Sequence, residues 1–169
     1  KPVEGGFHHA NELAEFVRER FSMSIGGACY PEKHHEAPSL EADIQNLKRK
    51  VDAGAEFLIT QLFFDNDKYW QFVEQVRAVG IDVPIVPGVM PVLNLTNLQR
   101  IASLSPGTKI PPELERAFGV ADGDDDASLD AGVDFAAKQC RELLDGGAPG
   151  IHFYTLNRSK ATLRTVAKL

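Results

Sequence analysis

Short apolar segments rich in β-branched and aromatic residues alternate with amphipathic helical segments along this chain of 169 residues. The clearest apolar segment is 56–64, a nearly continuous run that is typical of a strand buried on both faces. The segment before it, 39–54, repeats apolar residues at helical spacing after the candidate N-cap Ser39. No hairpin turn signal joins two apolar segments directly. The alternation therefore predicts parallel strands connected by helices, and the fold class is α/β.

The pattern predicts four strands, each followed by at least one helix, in a single domain that covers residues 1–169. The predicted strands are 21–29, 56–64, 82–89 and 150–155, and the predicted helices are 9–19, 39–54, 69–80, 94–103, 113–118, 127–144 and 158–168. Two architectures fit this order: a small doubly wound sheet, or part of a (β/α)8 barrel, since a complete barrel takes about 250 residues. Gly26 and Gly27 in the first strand predict a close approach of another group to the backbone.

Composition and charge argue against several classes of function. The net charge is −6 and the isoelectric point is near 5.3, which argues against nonspecific nucleic-acid binding because such binding depends on neutralising phosphates. No apolar run approaches the ~18 residues of a membrane-spanning helix, so we expect no membrane association. Cys29 and Cys140 lie far apart in the sequence, which favours free thiols in a reducing, cytoplasmic compartment.

Polar and aromatic residues follow the predicted strands, at the positions where parallel α/β folds bind their ligands. Tyr30 and His34 follow the first strand, and Gln61 lies near the end of the second. Tyr154 and Arg158 lie at and just beyond the end of the fourth. Because Gln61 interrupts an apolar run, its amide needs either a buried partner on a neighbouring strand or a ligand.

A polar ridge runs along the predicted helix 39–54, beside its apolar stripe. Asp43, Asn46 and Lys50 recur at i, i+3 and i+7, and Arg49 extends the ridge into a basic end. These side chains suit the ribose and diphosphate of a nucleotide. They are also typical of a solvated face with intrahelical ion pairs, and the spacing alone favours that second interpretation.

A zinc site is a weaker alternative. Cys29, His34 and His35 are potential ligands, but zinc needs three or four convergent donors, and His8 and His9 lie on a separate segment. We therefore expect no metal. Neither of the standard glycine-rich phosphate loops is present. Taken alone, the residues predict a parallel α/β domain with a candidate nucleotide site.

Five segments together carry a far more specific signal than any single motif. They are 28–37 (ACYPEKHHEA), 43–55 (DIQNLKRKVDAGA), 59–65 (ITQLFFD), 87–91 (PGVMP) and 152–158 (HFYTLNR). In this order they resemble bacterial methylenetetrahydrofolate reductase over nearly the whole chain. The resemblance implies an FAD-dependent (β/α)8 barrel that reduces methylenetetrahydrofolate to methyltetrahydrofolate with NADH or NADPH. It also implies that the chain is the C-terminal half of that barrel, a partial barrel of strands five to eight.

The resemblance assigns roles residue by residue. The positions that match the family's FAD-binding residues are Tyr30, His34, Ala37, Asp43, Asn46, Arg49 and Lys50. Gln61 matches the glutamine that contacts folate and nicotinamide beside the flavin. Tyr154 and Arg158 match positions that line the substrate pocket, with Arg158 facing the folate glutamate tail, and a guanidinium fork suits that carboxylate.

The chain departs from the family's pattern at two substrate positions. Asn97 stands where some members use a glutamine for folate, and Ile101 stands where those members place a stacking phenylalanine. The family's general-acid glutamate and its flavin-tuning aspartate belong to the first half of the barrel. We therefore expect no catalytic acid in this chain, and an isolated chain that is inactive.

Three further expectations follow. A half-barrel leaves two unpaired sheet edges, so we expect either self-association into a homo-oligomer or a helix folded over those edges. The alternative function is a non-catalytic half-barrel module that binds FAD or a partner. A small flavodoxin-like sheet is a third possibility, and its strand order would differ from four successive neighbours.

Overall fold

The computed structural model describes residues 3–104, 107–121 and 123–169, and in that part of the chain helices and short strands alternate in a mixed α/β fold. The helices are α1 (Ala10–Arg20), α2 (Leu40–Asp52), α3 (Asn66–Ala78), α4 (Leu95–Leu104), α5 (Pro112–Val120), α6 (Asp125–Asp145) and α7 (Ser159–Val166). The strands are β1 (Gly26–Cys29), β2 (Phe57–Thr60), β3 (Ile85–Val86), β4 (Gly88–Val89) and β5 (His152–Phe153).

The strands pair in parallel and in chain order. β1 pairs with β2, β2 pairs with β3, and β4 pairs with β5. The order is therefore β1-β2-β3 in one sheet and β4-β5 in the other. Helices connect the members of each pair, as parallel pairing requires. The prediction of parallel strands joined by helices is confirmed, and the partial barrel stays a prediction.

The third predicted strand is divided into two short strands, β3 and β4. Pro87 lies between them and has no backbone N–H to donate to a ladder, so regular pairing stops there. Its carbonyl still accepts a 2.9 Å hydrogen bond from the N–H of His152. One proline therefore separates the part of the chain that pairs with β2 from the part that pairs with β5.

The other strands are shorter than the sequence predicts. Residues 21–24 precede β1 outside the ladder, and the side chains of Phe21 and Met23 are 52% and 59% exposed. Residues 62–64 follow β2 outside the ladder, although Phe63 and Phe64 are buried. Both segments contain apolar residues that are typical of strands. Neither segment has a partner strand in register, so the first lies exposed and the second packs into the core without regular pairing.

Capping side chains set the start of two long helices. The Ser39 hydroxyl accepts a 3.2 Å hydrogen bond from the N–H of Ala42, which confirms Ser39 as the N-cap of α2. The Asp124 carboxylate accepts 3.0 Å hydrogen bonds from the N–H groups of Asp126 and Ala127. As a result α6 begins at Asp125, two residues before its predicted start.

The main core lies between the β1-β2-β3 sheet and helices α2, α3 and α6. Leu58, at the centre of β2, is fully buried. The buried helical residues around it are Ile44, Leu47, Tyr69, Phe72, Val76, Ala136, Cys140 and Leu143. Burying each of the large apolar side chains contributes about 1.5–3 kcal/mol. This packing holds the carboxyl ends of the strands beside one another.

The adjacent glycines of β1 allow close packing, as predicted. A Cβ atom on Gly26 would lie 2.5 Å from the Phe57 ring, and one on Gly27 would lie 2.9 Å from Cδ of Lys50. The approaching groups are therefore side chains of this chain. Among the described helices, none combines the length and apolar character that crossing a membrane requires.

Candidate functional site

A cavity of about 510 Å³ opens beyond the carboxyl ends of β2, β4 and β5. Its walls include all four predicted substrate residues, Gln61, Asn97, Tyr154 and Arg158. Gln61 follows β2, Asn97 lies on α4, and Tyr154 follows β5. The fold therefore brings together residues that are far apart in the sequence, since Gln61 and Arg158 are separated by 97 positions.

The Gln61 side chain is half-buried, and the partner of its side-chain oxygen is the adjacent residue rather than a neighbouring strand. Its Oε1 atom accepts a 2.9 Å hydrogen bond from the N–H of the next residue, Leu62. The backbone N–H of Gln61 donates to the Cys29 carbonyl at 2.7 Å. Because its oxygen is used locally, Gln61 has its amide N–H groups to offer to a hydrogen-bond acceptor.

Tyr154 is held by its hydroxyl. The hydroxyl donates a 2.9 Å hydrogen bond to the Thr60 carbonyl at the end of β2. Burial raises the pKa of the Tyr154 phenol, so it remains a neutral donor. Its ring also packs edge-on against His152, with the ring centroids 4.8 Å apart. Tyr154 therefore presents a fixed aromatic wall to the cavity.

An unusual turn delivers Arg158 to the cavity rim. Leu156 and Asn157 both adopt left-handed backbone conformations, with φ angles of 46° and 60°. Such a conformation costs about 1–2 kcal/mol for a residue such as leucine, whereas asparagine adopts it more readily. The N–H of Arg158 closes the turn by donating to the Thr155 carbonyl at 2.8 Å. The Arg158 side chain is exposed, so it can reach a carboxylate at the cavity mouth.

The two departures from the family's pattern lie on one wall. Asn97 uses its Oδ1 atom to accept a 3.2 Å hydrogen bond from the N–H of Leu93. Ile101 is 3% exposed and belongs to the core cluster under α4, although it also lines the cavity. The wall at Ile101 is therefore aliphatic, and it offers contact area without an aromatic face.

Five of the seven predicted cofactor residues line two neighbouring clefts that share Tyr30, and Ala37 and Arg49 line neither of the two. Asp43, Asn46 and Lys50 line a cleft of about 40 Å³ beside Tyr30. His34 lines a second cleft of about 140 Å³, together with Tyr30 and Gln61. Gln61 also lines the 510 Å³ cavity. Through the shared residues Tyr30 and Gln61, the two clefts and the 510 Å³ cavity are neighbours.

The α2 ridge makes both tertiary and intrahelical contacts. The Asp43 carboxylate accepts a 2.8 Å hydrogen bond from the N–H of His34, and the Lys50 ammonium donates to the Ala28 carbonyl at 2.6 Å. Burial lowers the pKa of Lys50. Arg49 donates to Oδ1 of Asn46 at 3.1 Å within the helix, and both side chains are exposed. Asp43 and Lys50 therefore bond to β1 and the loop after it, whereas Asn46 and Arg49 bond to each other on the solvated face of the helix.

Ala37 and His34 belong to the loop between β1 and α2. The N–H of Ala37 donates to the His34 carbonyl at 3.0 Å, and the His34 ring packs edge-on against Tyr30 at 4.6 Å between centroids. The ring of His35 lies 4.5 Å from that of His34. In the described residues no group of three or more His, Cys, Asp or Glu side chains converges as metal ligands would. Burial raises the pKa of the Cys29 thiol to about 12, which makes it a poor metal ligand.

Several residues near these openings were missed by sequence reasoning. Arg100 and Thr162 line the large cavity, and Glu32 lines the cleft beside Tyr30. The position of Arg100, three residues after Asn97 on the same helix, was a usable signal. Glu32 is half-buried, and burial raises the pKa of its carboxyl. Its Oε1 accepts a 3.2 Å hydrogen bond from the N–H of Lys109, a contact that has no signature in the sequence.

Fold and site together define a parallel α/β protein with a ligand cavity at the carboxyl ends of its strands, where α/β enzymes bind substrates. The family model described as MTHFR: Methylenetetrahydrofolate reductase matches residues 1–169. The chain belongs to the methylenetetrahydrofolate reductase family.

Named relatives agree with this family. The chain is 40% identical to 5,10-methylenetetrahydrofolate reductase of Pectobacterium carotovorum subsp. carotovorum over 94% of this chain and 54% of that protein. It is 39% identical to the Escherichia coli enzyme of the same name over 90% of this chain and 51% of that protein. With Methylenetetrahydrofolate reductase 2 of Saccharomyces cerevisiae the identity is 38% over 99% of this chain and 29% of that protein. The chain thus spans about half the length of these bacterial relatives and less of the yeast one.

A solved structure shares the fold. It is an uncharacterized protein from Clostridium thermocellum that binds two copies of 5-methyl-5,6,7,8-tetrahydrofolic acid. The two are 17% identical, with a TM-score of 0.65 over 99% of this chain and 64% of that chain. At this identity the likeness supports the fold alone.

Proposed function

We propose that this chain is part of the catalytic barrel of an FAD-dependent methylenetetrahydrofolate reductase. The intact enzyme would reduce 5,10-methylenetetrahydrofolate to 5-methyltetrahydrofolate with NADH or NADPH. The observation that carries the proposal is the convergence of Gln61, Asn97, Tyr154 and Arg158 on one cavity of about 510 Å³. That volume lies within the range of about 300–1,000 Å³ that small-molecule sites occupy.

The chemistry of the cavity suits a folate. The amide N–H groups of Gln61 match the acceptor atoms of a pterin ring, and Leu62 and Met90 add apolar wall around it. Arg158 and Arg100 bring positive charge to the lining, where the glutamate tail of a folate carries carboxylates. In this arrangement Arg158 binds the tail, while Gln61 and Tyr154 orient the ring.

The α2 ridge and the following loop suit FAD. Arg49 and Lys50 supply positive charge for a diphosphate, and Tyr30 and His34 supply aromatic surface. FAD, when bound, supplies hydride transfer between the nicotinamide and the folate. The clefts of about 40 and 140 Å³ are far smaller than a dinucleotide, so it would lie along an open surface. We therefore propose that the remainder of the enzyme covers its other side.

We further propose that residues 1–169 form a single domain, a partial (β/α)8 barrel in which β1 to β5 supply strands five to eight. The sequential parallel pairing supports this arrangement, with β3 and β4 as the two parts of one barrel strand. The general acid would come from the other half of the barrel, so the chain alone would be inactive. A non-catalytic half-barrel module that binds FAD is the second candidate.

Titration with 5-methyltetrahydrofolate tests the substrate site. We expect binding to the chain, weakened about tenfold by Arg158→Gln because a charge-assisted contact to a carboxylate is lost. Arg116→Gln is the matched control, since Arg116 is an exposed arginine on α5, outside the cavity lining. Equal affinities for the two variants would contradict the assignment of Arg158.

Flavin titration and a turnover assay separate the two candidate functions. The chain is titrated with FAD and then assayed for NADH oxidation with menadione as acceptor. Micromolar FAD binding without turnover favours the non-catalytic module, and weak binding that becomes tight with the first half of a bacterial relative's barrel favours the fragment. Clear turnover by the chain alone would contradict an acid supplied by the other half.

We also propose a cytoplasmic homo-oligomer. The buried free thiols of Cys29 and Cys140 suit a reducing compartment. Within the described residues β1 pairs with β2 alone, and the exposed Phe21 and Met23 precede it. Such an edge favours association, which Met23→Lys would weaken. Light scattering that gives a clean 18.5 kDa monomer for the wild-type chain would contradict self-association.

A further inference from the structure

Lys33 has a backbone conformation that is disfavoured for lysine. It lies in the loop between β1 and α2, with a φ angle of 76°. This left-handed region costs a non-glycine residue about 1–2 kcal/mol, and glycine is the residue that adopts it freely. The N–H of Lys33 donates to the Tyr30 carbonyl at 3.1 Å, so the turn is closed around this residue. A lysine side chain at such a position needs a compensating interaction.

The Lys33 ammonium provides that interaction within the same loop. Its Nζ atom donates to the His34 carbonyl at 3.0 Å and to the Ala37 carbonyl at 2.5 Å. Both bonds are part-buried and charge-assisted, which makes them stronger than bonds between neutral groups. The side chain thus folds back and ties together two backbone groups that are three residues apart.

The backbone and the ring of His34 each make a further hydrogen bond around this loop. The N–H of His34 donates to Asp43 on α2 at 2.8 Å, and the ring Nδ1 atom of His34 accepts from the N–H of Glu36 at 3.2 Å. With Nδ1 as the acceptor, the neutral ring carries its proton on Nε2. The loop therefore sets both the place of the His34 ring and the nitrogen that it offers as a donor.

We propose that Lys33 is a positioning residue for the cofactor site, whose ammonium holds the carbonyls of His34 and Ala37 so that the loop is preformed before a ligand binds. This inference rests on the proposed function, which assigns His34 and Ala37 to FAD. A preformed loop lowers the ordering cost of binding. The competing account is that the turn is held by backbone contacts alone, in which case the ammonium is dispensable.

Flavin affinity tests the positioning role. Lys33→Met keeps the aliphatic stem and removes the donors, and we expect it to weaken FAD binding to the chain about tenfold. Lys33→Arg keeps a charged donor and should restore affinity to within about threefold. Lys138→Met is the matched control, because Lys138 is an exposed lysine on α6 whose contact is a 3.9 Å ion pair with Glu142. Equal affinity for wild type, Lys33→Met and Lys138→Met would overturn the proposal.

Amide hydrogen exchange without flavin tests the loop separately. Lys33→Met should speed the exchange of the Ala37 amide about tenfold, with the melting temperature unchanged. Lys33→Gly relieves the backbone and also removes the ammonium, so it should behave like Lys33→Met. If the Ala37 amide in Lys33→Gly exchanged as slowly as in the wild type, the proposal would be overturned, because backbone contacts alone would then hold the turn. If wild type binds no flavin, the exchange results still decide the role of Lys33, while the proposed cofactor assignment fails.

Discussion

The hydroxyl of Tyr154 donates a 2.9 Å hydrogen bond to the Thr60 carbonyl, and Gly88 of β4 lies between the two residues. The same threonine accepts a 2.8 Å hydrogen bond on its Oγ1 atom from the N–H of Gly88. The ends of β2, β4 and β5 are thus joined at one point. Because Gln61 and Tyr154 both border the cavity, this junction sets the distance between two of its walls.

Replacing Gly88 with alanine should be severely destabilising. An added Cβ atom would lie 2.3 Å from the Thr60 carbonyl oxygen and 2.6 Å from Cε2 of the Tyr154 ring. The carbonyl belongs to the backbone and cannot move away without breaking the strand pairing. We expect a loss of about 3 kcal/mol or more in the free energy of unfolding, measured by urea denaturation.

Gly119→Ala is the control for that substitution. Gly119 lies in α5, and an added Cβ atom would meet no heavy atom within 4 Å. Because alanine is a better helix former, the variant should gain about 0.5–1 kcal/mol. A Gly88→Ala variant as stable as Gly119→Ala would refute the close approach at β4.

The Thr60 hydroxyl should matter through its hydrogen bond to Gly88. Thr60 is fully buried, so Thr60→Val leaves the Gly88 N–H without a partner at a cost of about 1–3 kcal/mol. Thr60→Ser keeps the acceptor and loses one methyl group. Amide exchange at Gly88 distinguishes the variants: it should accelerate in Thr60→Val and stay slow in Thr60→Ser. Fast exchange in both would mean that methyl packing, and not the hydroxyl, protects the site.

The buried thiols should make stability fall at alkaline pH. Burial raises the pKa of Cys29 to about 12 and that of Cys140 to about 11, from an ordinary value of 9.0. Above pH 9 the unfolded chain releases these protons and the folded chain keeps them, so unfolding becomes more favourable as pH rises. Each thiol contributes a slope of up to about 1.4 kcal/mol per pH unit.

Urea denaturation between pH 8 and 10 measures this effect. Cys29→Ala and Cys140→Ala should each be less stable at pH 8 because a buried side chain is lost, and each should also have a shallower pH slope than wild type. The slope is the diagnostic quantity. A double variant with the full wild-type slope would rule out the thiols as its source.

A ladder of ion pairs should contribute modestly to the docking of α7 on α6. Asp130 pairs with Arg164, Asp134 pairs with Lys168, and Asp126 lies 4.0 Å from Lys160. The three aspartates lie on α6 at intervals of four, and Lys160 and Arg164 on α7 and Lys168 just beyond its end repeat that spacing, so the two rows face one another in register. Exposed pairs of this kind contribute about 0.2–1 kcal/mol each.

A charge-swap cycle measures the ladder. Asp130→Arg and Arg164→Asp should each destabilise the chain, and the double variant should recover most of the loss at low salt. At 1 M salt the differences should largely disappear because the charges are screened. Strictly additive losses in the double variant would mean that the two residues do not interact.

Much of the fold was predictable because it depends on local pattern. The apolar periodicity located the helices, and the Ser39 cap marked the start of α2 at the correct residue. The strand ends were less predictable. Segments such as 21–24 carry strand-like residues, but a strand exists only where a partner lies in register, and that depends on distant parts of the chain.

The candidate site was likewise predictable in part: its residues could be named from the sequence, but their hydrogen bonds could not. The family resemblance predicted Gln61, Asn97, Tyr154 and Arg158 as substrate residues, and all four line one cavity. The sequence could not reveal that the Gln61 oxygen bonds to Leu62, or that Lys33 folds back onto its own loop.

The sequence by itself determined the α/β class, the family and the chemical types available to the site. Only the tertiary structure decided which atoms of those residues are already bonded and which are left for a ligand. The physical reason is that periodicity and composition report short-range preferences. Hydrogen-bond partners such as Thr60 and Tyr154, 94 residues apart, are set by how the whole chain packs.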